Sequence, residues 1–428
     1  MKKYRGVVII AGLGFLAGTL LLGCGSPQQE TGAEPGAVAA DPDRSDEQVT
    51  GPYEVVKDWP KPLSTWPGHE GWTWGSTQGV FAENPNRIFI IQRGELPELK
   101  PQITARAVEV EDGGVSGPVR LSVPIAGLPR RNASVDIIGS PGEPHVSFVG
   151  VEGKDYRWEH LLIVVDGQGN LVEAWTQWDK LFKRPHRILI SPYDPEKRVW
   201  VVDDGRNAIF IFSNDGKQLL QTIGTPDESG NDDKHFWRQT DIAWLPDGTF
   251  FVSDGYDNTR VVKFDKDGKF LMAWGESSKG MANPGPNFFN TVHGMATDAQ
   301  RRVYVSDRSN RRIQIFDENG QFLDMWNLGE YAVPYHLFMA ADQHLWFADG
   351  HGTWKILKYG LDGQMLYSWG TWGPLPGELW GVHQLSVDQD GNLYVAEVFN
   401  GRAQKFRPKR GADPAKLVGQ PVRAASQN

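Results

Sequence analysis

Arg301-Arg302-Val303-Tyr304-Val305-Ser306-Asp307-Arg308-Ser309-Asn310-Arg311-Arg312-Ile313-Gln314-Ile315-Phe316-Asp317-Glu318-Asn319-Gly320 is the stretch that decides the fold. It holds two short apolar runs separated by a polar link, then an Asn-Gly turn. Apolar and polar residues alternate in the runs, the period of a strand, and Asn-Gly favours a tight hairpin. A third run follows and ends at Trp326. The same unit returns at Phe250 to Trp274 (Val252-Ser253-Asp254, then Asp265-Lys266-Asp267-Gly268), at Val199 to Ile223, at Leu345 to Trp369, and at Leu393 to Phe406. A sixth unit starts at Arg87-Ile88-Phe89-Ile90-Ile91-Gln92-Arg93. Its later strands are displaced to Leu161–Asp166 and Leu171–Trp175, which makes about 94–159 an insertion in the first unit. Repeats of roughly this length, each one small sheet, predict an all-β protein, a six-bladed β-propeller over residues 53–407. Seven blades result if the insertion is itself a blade.

The ends read differently. Lys2, Lys3 and Arg5 precede an apolar stretch, Val7 to Leu22, too short to span a bilayer comfortably, and Leu21-Leu22-Gly23-Cys24 closes it. Residues 1–23 are expected to be a signal peptide. The Leu-x-Gly-Cys pattern resembles the bacterial lipobox, and Cys24, the single cysteine of the chain, is the expected lipidation site. Residues 24–52 read as a flexible linker and 408–428 as a disordered tail. The expected location is the cell envelope, membrane-anchored and facing the periplasm or the exterior. The net charge of −9 argues against nucleic acid as a partner.

Most conspicuous residues have structural explanations. Trp175, Trp274, Trp326 and Trp369 close successive units and suit inter-blade packing. Asp265-Lys266-Asp267-Gly268 and Asp388-Gln389-Asp390-Gly391 sit where hairpins must turn and lack the spaced ligands of a calcium loop. Asn258/Arg260 and Asn310/Arg312 recur at one place in the unit and suit fixing a loop. What the repeat leaves unexplained is the first position of the innermost strand. From the second unit onward it holds His186, Thr240, His293, Tyr335 and His383. Histidine in alternate blades of a six-membered ring converges on the axis with three-fold symmetry, the arrangement of a three-His zinc site with an open position. Other divalent transition metals use the same ligands. Arg93 and Arg308 follow the second strand of units one and four, and Tyr256 lies close by in unit three. Two guanidiniums suit a carboxylate-bearing substrate, and a tyrosine beside a metal can serve as a base.

The Asp-x-x-Asn-x-Arg type of repeat resembles the NHL propellers. Gln92-Arg93-Gly94, Pro185-His186, Ser253-Asp254-Gly255-Tyr256-Asp257-Asn258-Thr259-Arg260, His293-Gly294, Asp307-Arg308 with Arg312-Ile313-Gln314, and His383 together resemble the peptidyl-α-hydroxyglycine α-amidating lyases. That resemblance runs from about Gly79 to Phe406, apart from the insertion. It implies zinc on His186, His293 and His383, a catalytic tyrosine at Tyr256, active-site arginines at Arg93 and Arg308, and C–N cleavage of a peptidyl-α-hydroxyglycine or related derivative to an amide and glyoxylate. It also implies a structural calcium. Two of its ligands are backbone carbonyls that map to Val80 and Ile188. The third, an Asp in the family, is Gln384 here, whose amide oxygen brings no charge. The family's disulfides are ruled out by the lone cysteine. The alternative is a non-enzymatic surface propeller that binds protein or glycan. A propeller lactonase or hydrolase is disfavoured, because such enzymes use carboxylate-rich calcium sites that these inner strands do not offer.

Overall fold

The computed structural model describes residues 46–98, 152–154 and 156–422. Within them six four-stranded antiparallel sheets form the blades. The inner strands are Thr77–Asn84, Pro185–Ile190, Gln239–Trp244, Val292–Thr297, Pro334–Met339 and Val382–Val387 for blades one to six. Each contacts the next, and the sixth contacts the first, so the ring is closed. The expectation of six blades holds. In blade one the second strand, Arg87–Gln92, pairs directly with Leu162–Val165, which places the insertion between two hydrogen-bonded neighbours of one sheet.

The middle strands are mostly buried, those of blade two from end to end, while the outer ones, such as Leu219–Ile223, are half exposed. Six apolar clusters carry the core, mostly between neighbouring blades. The tryptophans do pack there. Trp175 lies between Phe89 of blade one and Phe212 of blade two, and Trp326 stacks on Tyr359 of blade five with ring centroids 6.0 Å apart. Each also covers the turn glycine of the next blade. At Gly216 (φ +70°) a Cβ would sit 2.2 Å from the Trp175 ring, so the glycine serves both the left-handed turn and the close approach. The Asp-Gly turns use their carboxylates internally: Asp265 Oδ1 accepts from the amides of Asp267 and Lys269.

Two stretches differ from expectation. The stretch read as linker, 24–52, contains a helical turn at Asp46–Thr50. Tyr53–Val56 then forms the outermost strand of blade six, pairing antiparallel with Arg402–Pro408, so two segments far apart in the sequence close the ring together. The region read as a disordered tail, 408–428, is ordered packing as far as Val422. Asp413 caps a 3-10 turn at Pro414–Lys416, Val418 is buried, and its amide donates to Tyr53 Oη at 2.8 Å. Its Gly/Pro/Ala composition concealed two apolar anchors, Leu417 and Val418, that dock on blades five and six. Of the insertion, Glu95–Pro97 pairs with Trp72–Trp74 in a small separate sheet. Cys24 and residues 99–151 lie outside the described residues.

Candidate metal centre

The acid that ends the second strand of a blade sets the loop leading into the inner strand. Asp254 accepts from the amide of Trp237, Asp307 from that of Asn290, and Glu397 from that of Trp380, each three residues before the first inner position. Asn258 and Arg260 hold Asp254 in turn, and Asn310 and Arg312 hold Asp307, the loop-fixing role expected of them. In blade two Asp203 plays this part, accepting from the amide of Lys183, so these loops deliver His186, Thr240, His293 and His383 to the channel.

The three imidazoles meet there. All are buried, their ring centroids are 5.1, 5.0 and 4.5 Å apart, and one ligand nitrogen from each lies within 4.8 Å of the others. The intervening blades determine their orientation. His186 Nδ1 is 2.8 Å from the carbonyl oxygen of Thr240, His293 Nδ1 is 2.7 Å from that of Tyr335, and His383 Nδ1 is 2.7 Å from that of Gln78. Each histidine thus binds the first channel position of the following blade. A carbonyl only accepts, so every Nδ1 must carry the proton, and every Nε2 presents a lone pair to the axis. Burial, with the neighbouring imidazoles and arginines adding to it, pushes all three well below the ordinary imidazole value and keeps them neutral. Neutral, oriented, convergent Nε2 atoms fit zinc or a similar divalent ion, which these three residues would hold.

Tyr256 borders this point. Its hydroxyl is 2.9 Å from His186 Nε2 and 3.1 Å from His293 Nε2. Gly255 makes the approach feasible, since a Cβ there would lie 1.7 Å from the carbonyl oxygen of Val292. Arg308 lies between the rings of Tyr256 and Tyr335, 5.2 and 4.9 Å from their centroids. Among the described residues no carboxylate is within ion-pairing distance of it. Arg93 has a different setting. It is almost fully buried, donates from Nε to the carbonyl of Pro185 at 3.0 Å, and stands 3.7 Å from Asp204. It therefore braces the strand that carries His186.

Sequence reasoning missed the rest of this mouth. Arg184 and Arg238 both face the Tyr256 ring, at 5.4 and 4.7 Å, and both bind Asp204. Burial alone would raise Asp204, but the guanidiniums of Arg184, Arg238 and Arg93 overcome it and hold the carboxyl below the usual range. Three arginines around one buried carboxylate, with Arg308 against the same Tyr256 ring, leave the mouth electropositive. Arg184 directly precedes Pro185-His186 and could have been found by adjacency, whereas Asp204 sits in an unremarkable turn.

One layer deeper, the calcium expectation fails. Gln384 donates from Nε2 to the carbonyl oxygen of Ile188 at 2.7 Å, so the amide's donor side faces the oxygen meant to hold a cation. Val80 is buried on the inner strand of blade one. Arg187, fully buried, already supplies a positive charge to this layer, with Nη1 bonded to the carbonyl of His383 and Nε 3.3 Å from Asp241. These residues do not fit a calcium ion, because an internal guanidinium and an amide donor occupy the layer.

Fold and site together define a six-bladed propeller with a three-histidine centre in its channel. Comparison with known proteins finds an NHL repeat and relatives among amidating enzymes. The NHL repeat model matches residues 289–316, in blade four. Over 263 residues the chain is 28% identical to peptidyl-glycine alpha-amidating monooxygenase B of Xenopus laevis, covering 59% of this chain and 29% of that protein. It is 30% identical over 268 residues to peptidyl-alpha-hydroxyglycine alpha-amidating lyase 1 of Drosophila melanogaster, covering 56% of this chain and 48% of the relative. It is also 31% identical over 175 residues to NHL repeat-containing protein 3 of Homo sapiens, covering 39% and 48%. The chain thus spans half or less of the length of these relatives.

Proposed function

We propose that this protein is a zinc-dependent carbon–nitrogen lyase that cleaves a peptidyl-α-hydroxyglycine, or a related α-hydroxyglycine derivative, to an amide and glyoxylate. The observation that carries the reading is the Tyr256 hydroxyl placed between two of three convergent Nε2 atoms. His186, His293 and His383 would hold the ion, which when bound supplies Lewis acidity toward the substrate's hydroxyl oxygen. Arg308 seats the terminal carboxylate, and the tyrosine faces on either side limit the guanidinium's freedom. The surrounding arginines favour an anion at the mouth. Tyr256 removes the hydroxyl proton. The C–O bond becomes a carbonyl, the C–N bond breaks with its electron pair passing to nitrogen, and nitrogen takes up a proton to become the amide. Arg93 acts through Pro185 and Asp204 as a positioning residue.

The test is glyoxylate release from α-hydroxyhippurate. The expected result is turnover by the zinc-loaded protein, lost in His293→Ala together with its metal. Tyr256→Phe should fall by roughly 10²–10⁴-fold in kcat/KM while keeping its metal. No turnover with zinc bound would favour the surface-binding propeller. For location we propose a lipid anchor at Cys24. Cys24→Ser should then move the protein from the membrane to the soluble fraction, and a Cys24→Ser protein that stays in the membrane would refute the anchor.

A further inference from the structure

A second group of ligand-type side chains lies outside the channel, at the root of the insertion. His69, Glu95, Glu159 and His160 each offer one ligand atom, and these atoms lie within 4.8 Å of one another. They come from the loop before Trp72, from the strand Glu95–Pro97, and from the segment that re-enters blade one. The Glu95 carboxylate is fully buried, with Oε2 2.9 Å from His69 Nδ1 and Oε1 2.8 Å from His160 Nδ1. Arg157 Nη1 stands 3.9 Å from Oε2.

The frame is rigid. The Glu95 backbone pairs with Trp74 on one side and exchanges two hydrogen bonds with Arg157 on the other, at 2.8 and 3.0 Å. The Trp66 ring meets both imidazoles edge-on, at 6.1 and 5.6 Å, and the imidazoles meet each other at 5.0 Å. His160 is held at φ +56°, a left-handed conformation that a non-glycine residue keeps only when its surroundings enforce it. Its amide and that of Leu161 donate to the two oxygens of Asp179, which locks this turn.

We propose that His69, Glu95, Glu159 and His160 form a second binding site for a divalent transition-metal ion. Two imidazoles with two carboxylates are borderline ligands that suit zinc. They do not suit calcium or magnesium, which take oxygen ligands. Nothing in this site serves the channel chemistry. Its ligands stand on both sides of residues 99–151 in the sequence, so a bound ion would tie the two roots of the insertion to the loop before Trp72. Glu159 is exposed and provides the route by which an ion enters.

Zinc titration of the chelator-stripped full-length protein, followed by elemental analysis, tests this. Two equivalents are expected in the wild type. His69→Ala should retain one, and His383→Ala should retain the other. Glu159→Gln alters an exposed residue and so preserves the fold. It should weaken the second equivalent by about tenfold or more, since loss of a direct ligand costs no less than loss of an outer partner. A wild type that saturates at one equivalent, lost in His383→Ala and untouched by His69→Ala or Glu159→Gln, overturns the second site and leaves the channel reading standing. The reverse pattern overturns the channel reading and leaves this one.

Discussion

Arg187 and Asp241 show how single residues secure this channel. Both are fully buried, one residue beyond the first channel positions of blades two and three. Burial pushes the Asp241 carboxyl up, and the Arg187 guanidinium opposes that rise. Removing one partner leaves an uncompensated charge in a low-dielectric channel, whereas removing both does not. Arg187→Leu is therefore expected to cost about 3–5 kcal/mol, and Arg187→Leu with Asp241→Leu to cost less than the single change. Denaturant unfolding of the two single variants and the double measures the coupling, and additive costs would remove Arg187 as the channel's internal cation. This pair was illegible in the sequence. Arg187 stands beside His186 in an apolar strand, and only the closed ring brings Asp241 and the His383 carbonyl to it. The three histidines were legible because their spacing follows the repeat, a property of the sequence itself.

At the scale of the element, the unit is a sheet plus a rule for meeting its neighbour. The outer strand of one blade ends in a large side chain that lies over the turn glycine of the next. The tryptophans were readable as packing residues, but their partners were not, because a turn glycine looks the same whether or not a ring covers it. Gly216→Ala tests the rule. It adds a methyl 2.2 Å from Trp175 and requires a left-handed alanine. The conformation alone costs about 1–2 kcal/mol, and displacing the ring adds about 1–3 kcal/mol of overpacking. A fall in melting temperature is expected, whereas Gly411→Ala, where no atom lies within 4 Å, should lose only the conformational part. Equal losses in the two variants would show that the ring–glycine contact contributes nothing.

At the scale of the whole molecule, the ring is closed by segments distant in sequence. Four of the blades are built from continuous stretches, blade one is interrupted by its insertion, and blade six borrows its outer strand from Tyr53–Val56. Sequence periodicity gave the number of blades but not this seam, because the closing strand is a fragment with no repeat around it. Every other pair of neighbouring blades is joined by the chain, whereas the join between blades six and one depends on packing and on this one added strand. Tyr53 anchors the added strand: fully buried, it packs on Trp369 of blade five and Phe406 of blade six, with centroids 5.6 and 6.4 Å away, and accepts the amide of Val418. Tyr53→Ala is expected to cost about 3–5 kcal/mol, as truncation of a large buried aromatic does. Removing residues 46–56 altogether goes further, since it leaves Arg402–Pro408 as an unpaired edge open to another chain. Calorimetry should show a lowered melting temperature, and light scattering should show concentration-dependent self-association absent from the intact protein. A truncated protein that remains monomeric with an unchanged melting temperature would mean that five complete blades and a three-stranded sixth hold the ring without the seam.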